Sequence, residues 1–83
     1  PYNQKSYYNY GIFLDSINDS NSAIVQFKRA LELDSNYTVA QFSLILSLTK
    51  LKNFEKAKIE LNKLSLISPD SKEYELAKEL INK

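Results

Sequence analysis

Apolar residues recur at helical spacing along almost the whole chain, and short polar clusters break the pattern at four places. The first stripe is Tyr7, Tyr10, Gly11, Leu14 and Ile17, at steps of three, one, three and three. The cluster Asn18-Asp19-Ser20-Asn21-Ser22 ends it; short polar side chains of this kind suit both a tight turn and the N-cap of a following helix. A second stripe, Ala23, Ile24, Phe27, Ala30, Leu31 and Leu33, runs to the turn Asp34-Ser35-Asn36. Val39, Ala40, Leu44, Ile45, Leu48 and Leu51 form the third, closed by Lys52-Asn53, and Ala57, Leu61, Leu64 and Ile67 the fourth. Ser68-Pro69-Asp70-Ser71 follows, with Pro69 suited to the first turn of a helix, where no interior N–H is needed. Tyr74, Ala77, Leu80 and Ile81 make the last stripe. The spacing predicts five helices, over 4–17, 21–34, 37–51, 54–67 and 71–82. One glycine and two prolines leave few breakers or sheet turns, which favours helix throughout.

The stripes repeat. Tyr10 and Leu44 are thirty-four residues apart, and so are Leu14 and Leu48, Ala23 and Ala57, Phe27 and Leu61, Ala30 and Leu64, and Ser35 and Pro69. Paired helices at that period resemble the tetratricopeptide (TPR) family. In the first unit, 4–37, Tyr7 stands at the large aromatic position, Tyr10-Gly11 at Leu-Gly and Leu14 at the Tyr. Ala23 and Ala30 occupy the two small positions with Phe27 between them, and Ala30-Leu31-Glu32-Leu33-Asp34 matches the usual ending closely. The second unit, 38–71, keeps Leu44, Leu48, Asn53-Phe54, Ala57, Leu61 and Pro69. It departs at Gln41 (aromatic position), Ile45 (Gly or Ala position) and Leu64 (Ala position).

The resemblance implies an all-α, right-handed α-solenoid of helix-turn-helix repeats with five helices, forming a single domain over 1–83 with a capping helix at 72–83. Small residues let antiparallel helices approach while large ones fill the gaps beside them. The packing set is therefore Tyr7, Gly11, Ala23, Phe27, Ala30, Ala57, Leu61 and Pro69, and bulky Ile45 and Leu64 imply a wider crossing in the second unit. The last helix fits the repeat after a shift of one residue. Its outer side carries Lys72, Glu75, Lys78, Glu79, Asn82 and Lys83, as a solvating end should. The other end is less finished: Tyr2, Tyr7, Tyr8, Tyr10 and Phe13 place half of all ten aromatics in the first thirteen residues. That edge is expected to be covered by more chain or another subunit, with self-association through it as one route. A chain without Met that starts at Pro1 also reads as a piece of a longer protein.

Composition narrows the chemistry. Cysteine and histidine are both absent, which removes disulfides, thiol nucleophiles, imidazole bases and most zinc or iron sites. One glycine makes no phosphate-binding loop. Asp15 and Asp19 are read as a solvated acid and a helix cap, and the remaining acids alternate with lysines on exposed faces. No catalytic residue, metal site or cofactor is expected, and the chain is not read as an enzyme. Net charge is +1. Lys50, Lys52, Lys56, Lys58 and Lys63 gather with Glu55 and Glu60, but arginine is nearly absent, so no nucleic-acid partner is expected. No apolar run is long enough to cross a membrane. The absence of cysteine and of a leader-like start favours the cytoplasm.

The resemblance also implies a site. In this family the first helix of each pair lines an inner, concave surface where peptides are held. Carried over by position, that wall offers Tyr8, Asn9 and Ile12 from the first unit and Phe42, Ser43 and Leu46 from the second, with Lys5, Asp15, Ser16, Val39, Thr49 and Lys50 around them. The family subtype that clamps a terminal carboxylate uses Lys and Asn where this chain has Tyr8, Ile12 and Ser43; Lys72 fits a fourth position, but Leu76 replaces an Arg. The lining suits an apolar helical or extended segment better. The expected function is non-catalytic protein–protein interaction or scaffolding. The alternative is a structural role in which the inner face packs on neighbouring repeats, another domain or a second copy.

Overall fold

A computed structural model describes residues 2–82; Pro1 and Lys83, the latter placed above on the polar side of the last helix, lie outside them. The five helices are α1 (Gln4–Ser16), α2 (Ser20–Leu33), α3 (Thr38–Lys50), α4 (Phe54–Ile67) and α5 (Lys72–Ile81), and no strand occurs among the described residues. α1 packs on α2 and α3 on α4 as antiparallel hairpins; α2 packs on α3, and α5 closes the stack against α3 and α4. The whole measures 37 × 25 × 18 Å.

The two hairpins repeat down to single hydrogen bonds. Asn18 and Lys52, thirty-four apart, both adopt left-handed backbone, with φ of 65° and 59°. In each case the residue after it donates its N–H to the carbonyl five residues earlier: Asp19 to Leu14 and Asn53 to Leu48, both at 2.9 Å. This is the Schellman ending of a helix, which satisfies carbonyls left over by the last turn. Asp19 and Asn53 then cap the next helix, their side chains accepting from the N–H groups of Ser22 and Lys56. One polar pair therefore stops one helix and starts the next, twice. Asn3 and Ser71 cap α1 and α5 in the same way, and Tyr37 begins α3 without a side-chain cap.

The core is formed by Leu14, Ala23, Ile24, Phe27, Leu44, Ile45, Leu48, Ala57, Leu64 and Ala77. Gly11 is buried because nothing larger fits: a Cβ there would lie 2.5 Å from Phe27 Cε1, and Phe27 is itself completely buried. In the second unit the corresponding pair is Ile45 and Leu61, medium against medium instead of small against large. α1 and α2 accordingly contact each other more extensively than α3 and α4.

Several residues of the apolar stripes are not interior. Tyr10, Ile17 and Leu33 are each more than half exposed, and Leu51 and Leu80 are exposed as well. Ile17, Leu33 and Leu51 stand at helix ends, where the turn carries them away from the neighbouring helix. Tyr10 lines a surface pocket with Ser6 and Tyr7 of α1 and Gln26 and Arg29 of α2, and stays half exposed because no further described helix covers it. Pro69 is exposed in the Ser68–Ser71 turn, ahead of the Ser71 cap, not in the first turn of α5.

Candidate functional site on the inner wall

α1 and α3 bring the six inner-wall residues into different environments. Asn9 and Ile12 are exposed on α1, with Ile12 at 42%. Tyr8, Phe42 and Leu46 are half-buried, and Ser43 is buried at 7%. Tyr8 is tied to the fold: its ring centroid lies 6.0 Å from that of Phe27 and 5.5 Å from that of Tyr37, and both Tyr8 and Phe42 rest against the core cluster. Tilted ring pairs at such distances add to area burial. Burial, with the neighbouring Tyr8 and Asp34, pushes the Tyr37 hydroxyl above the usual phenol range, so Tyr37 remains a neutral phenol at neutral pH. Among these six residues Ile12 is the exposed apolar one, and Tyr8, Phe42 and Leu46 each keep part of their surface open.

One end of the wall is closed by a polar junction. Asp15, with only 17% of its side chain exposed, accepts from Lys50 Nζ at 2.9 Å, from Ser20 Oγ at 2.8 Å and from Ser47 Oγ at 3.3 Å. Burial pushes its carboxyl up, but the hydrogen bonds from Lys50, Ser20 and Ser47 and the Lys50 charge outweigh that and hold it below the usual range. Ser47 is completely buried and makes its hydrogen bond here. Asp15 is therefore not a solvated acid; it ties the end of α1 to α2 and α3. Sequence reading placed Asp15 and Lys50 on the same inner face but did not pair them. The signal was their separation of thirty-five, one repeat plus one residue, which sets them side by side on adjacent units.

The lysine cluster is partly neutralised: Lys50 pairs with Asp15, and Lys63 with Glu60 at 3.4 Å. Gln41, read as a departure from an aromatic position, is buried at 3% and donates from Nε2 to Glu60 O at 2.9 Å and to Glu60 Oε1 at 2.8 Å, joining α3 to α4. Among the packing residues, Gly11, Ala23, Phe27, Ala30 and Ala57 are buried, Tyr7 and Leu61 half-buried, and Pro69 exposed. No group of three potential metal-ligating His, Cys, Asp or Glu residues occurs among the described residues, and no described helix is long and apolar enough to cross a membrane.

A family model described as tetratricopeptide repeat matches residues 18–81. The chain belongs to the tetratricopeptide repeat family. The match takes in α2 to α5 and the turns between them. Comparison with curated proteins and with solved structures gave no match. Tetratricopeptide repeats generally mediate protein–protein interaction or scaffolding, typically bind protein partners and are typically non-catalytic.

Proposed function

We propose that this tetratricopeptide chain is a non-catalytic interaction module that holds an apolar helical or extended peptide segment on its inner wall. Units 4–37 and 38–71 and the closing helix from 72 act as one domain in this reading. The observation that carries it is Ile12, 42% exposed on the helix that also bears the partly exposed Tyr8 and the polar Asn9, with Phe42 and Leu46, the counterparts of Tyr8 and Ile12 thirty-four residues on, partly exposed on α3. An apolar patch rimmed by polar groups is the usual form of an interaction surface. Ser43, nearly buried, contributes shape more than contact. Peptides selected by phage display against the immobilised chain test the reading. Selected apolar peptides should shift the amide NMR signals of Tyr8, Ile12, Phe42 and Leu46. Failure to select any peptide, or shifts confined to other surfaces, contradicts it.

One observation favours a second, assembly role at the outer face of α1. Tyr10 and Phe13 are 51% and 56% exposed, yet their repeat counterparts Leu44 and Ser47 are 1% and 0% exposed in α3, on which α2 packs. Ser6, Tyr10, Phe13 and Ile17 form an uncharged stripe, so two copies meet there without like-charge repulsion. Sedimentation of the wild type should show concentration-dependent self-association that Tyr10→Lys with Phe13→Lys removes. A monomer at all concentrations rules out this second role.

A further inference from the structure

At the outer edge of α1, beside α2, lies a cavity of about 430 Å³ lined by Tyr2, Tyr7, Tyr10, Gln26 and Arg29. The Arg29 guanidinium stands 6.0 Å from the centroid of the Tyr7 ring, which lies 5.7 Å from the Tyr2 ring. Among the described residues no carboxylate pairs with Arg29, the chain's single arginine. Glu32, one turn further along α2, borders the adjoining hollow with Arg29 and makes no ion pair with it.

The second unit shows what this arrangement lacks. Gln26 and Arg29 stand thirty-four residues before Glu60 and Lys63, and Tyr7 stands thirty-four before Gln41. There the Glu60 carboxylate accepts from Gln41 Nε2 at 2.8 Å and from Lys63 Nζ at 3.4 Å. In the first unit the cation is kept, as Arg29, while the carboxylate is replaced by the neutral amide of Gln26. The second unit also receives an acid from outside itself: Glu32 of α2, next to Leu31, lines the same groove as Lys63. No described helix stands in that place against α1.

We infer that this edge pocket is a second binding site, for an acidic segment of a partner protein whose glutamate pairs with Arg29 while a neighbouring leucine lies on the tyrosine rings. The planar guanidinium fork matches a carboxylate, and the Tyr7 ring holds it in place. Tyr10, 51% exposed, offers apolar surface to the leucine. The pair of guest residues is the one that α2 presents to the second unit as Leu31 and Glu32. The volume falls within the range of about 300–1,000 Å³ common to ligand pockets. A basic partner segment meets a like charge at Arg29 and is disfavoured. This site is separate from the inner wall, and it shares Tyr10 with the self-association stripe.

The test is an NMR titration of the intact chain, at a concentration where sedimentation shows a monomer, with acetyl-Ala-Gln-Ala-Leu-Glu-Ala-Gln-Ala-amide and with the same peptide carrying Gln for Glu. The Glu peptide should shift the Arg29 side-chain Nε–H signal and the amides of Tyr7 and Tyr10, leaving Ile12 and Asn9 unmoved. It should bind about threefold to fivefold more tightly than the Gln peptide. Gln26→Glu, similar in size, supplies the internal carboxylate of the second unit and should remove that preference. Arg29 is exposed, so Arg29→Gln keeps the fold, and it should make the two peptides bind equally. Equal affinity of the wild type for both peptides, a preference undiminished in Gln26→Glu or Arg29→Gln, or shifts confined to the inner wall would overturn the assignment.

Discussion

Gly11 and Phe27 show how one close contact sets the geometry of a hairpin. Replacing glycine by alanine inside a helix normally gains about 1 kcal/mol of propensity. Here the new methyl meets a ring that is completely buried and has nowhere to turn. Gly11→Ala should therefore destabilise the chain by about 1–3 kcal/mol in urea unfolding, and Phe27→Leu added to it should recover part of the loss. Recovery is expected because Ile45 with Leu61 already uses that balance of volumes in the second unit. Asp15 acts at the same scale through charge. Its carboxyl is held below the ordinary value of 3.8, so its contribution is complete above that value and is lost as pH falls through the lower folded one. Asp15→Ala, which leaves the buried Ser47 hydroxyl without its partner, should cost about 1–3 kcal/mol at pH 7. The gap between variant and wild type should narrow in urea titrations repeated towards pH 3.

At the scale of the helix, α5 closes the core with the small Ala77 at its centre and Tyr74 and Ile81 packed beside it. Ala77 is completely buried where α5 meets α3 and α4, while Leu76 beside it is 56% exposed. Ala77→Leu should cost about 1–3 kcal/mol by overpacking, and Leu76→Ala less than about 0.5 kcal/mol, both read from thermal melts. The elements themselves were largely legible in the chain: every predicted helix end lies within one residue of the observed one. Asx caps and a steady apolar period are local signals, and local signals mark where helices begin and end. What the period does not carry is the presence of a neighbour. Tyr10 and Leu44 occupy the same position of the repeat, yet one is exposed and the other buried, because α2 lies against α3 and no described helix lies in that place against α1. The same limit explains Tyr8. Its place on the inner wall followed from its position in the repeat, while its stacking on Tyr37 depends on how the inter-unit turn folds back. Gln41 was visible as a departure from pattern, but its bonds to Glu60 emerge only once α3 and α4 are placed.

For the whole molecule, repeating the hairpin divides its surfaces by task. Helix faces turned towards adjacent helices are consumed by packing, as Phe27, Ala30, Ile45 and Leu64 show. In the proposed function the inner wall carries at Ile12 exposed apolar surface available to a partner, and that surface is the centre of the proposal. Ile12→Lys tests it most directly, with melting temperature and the affinity of a selected apolar peptide measured on the same preparation. The account predicts a melting temperature within about 4 °C of wild type, as for an exposed position, and peptide binding at least about tenfold weaker. A clear drop in melting temperature with affinity unchanged would contradict it, because Ile12 would then be serving the fold and not a partner.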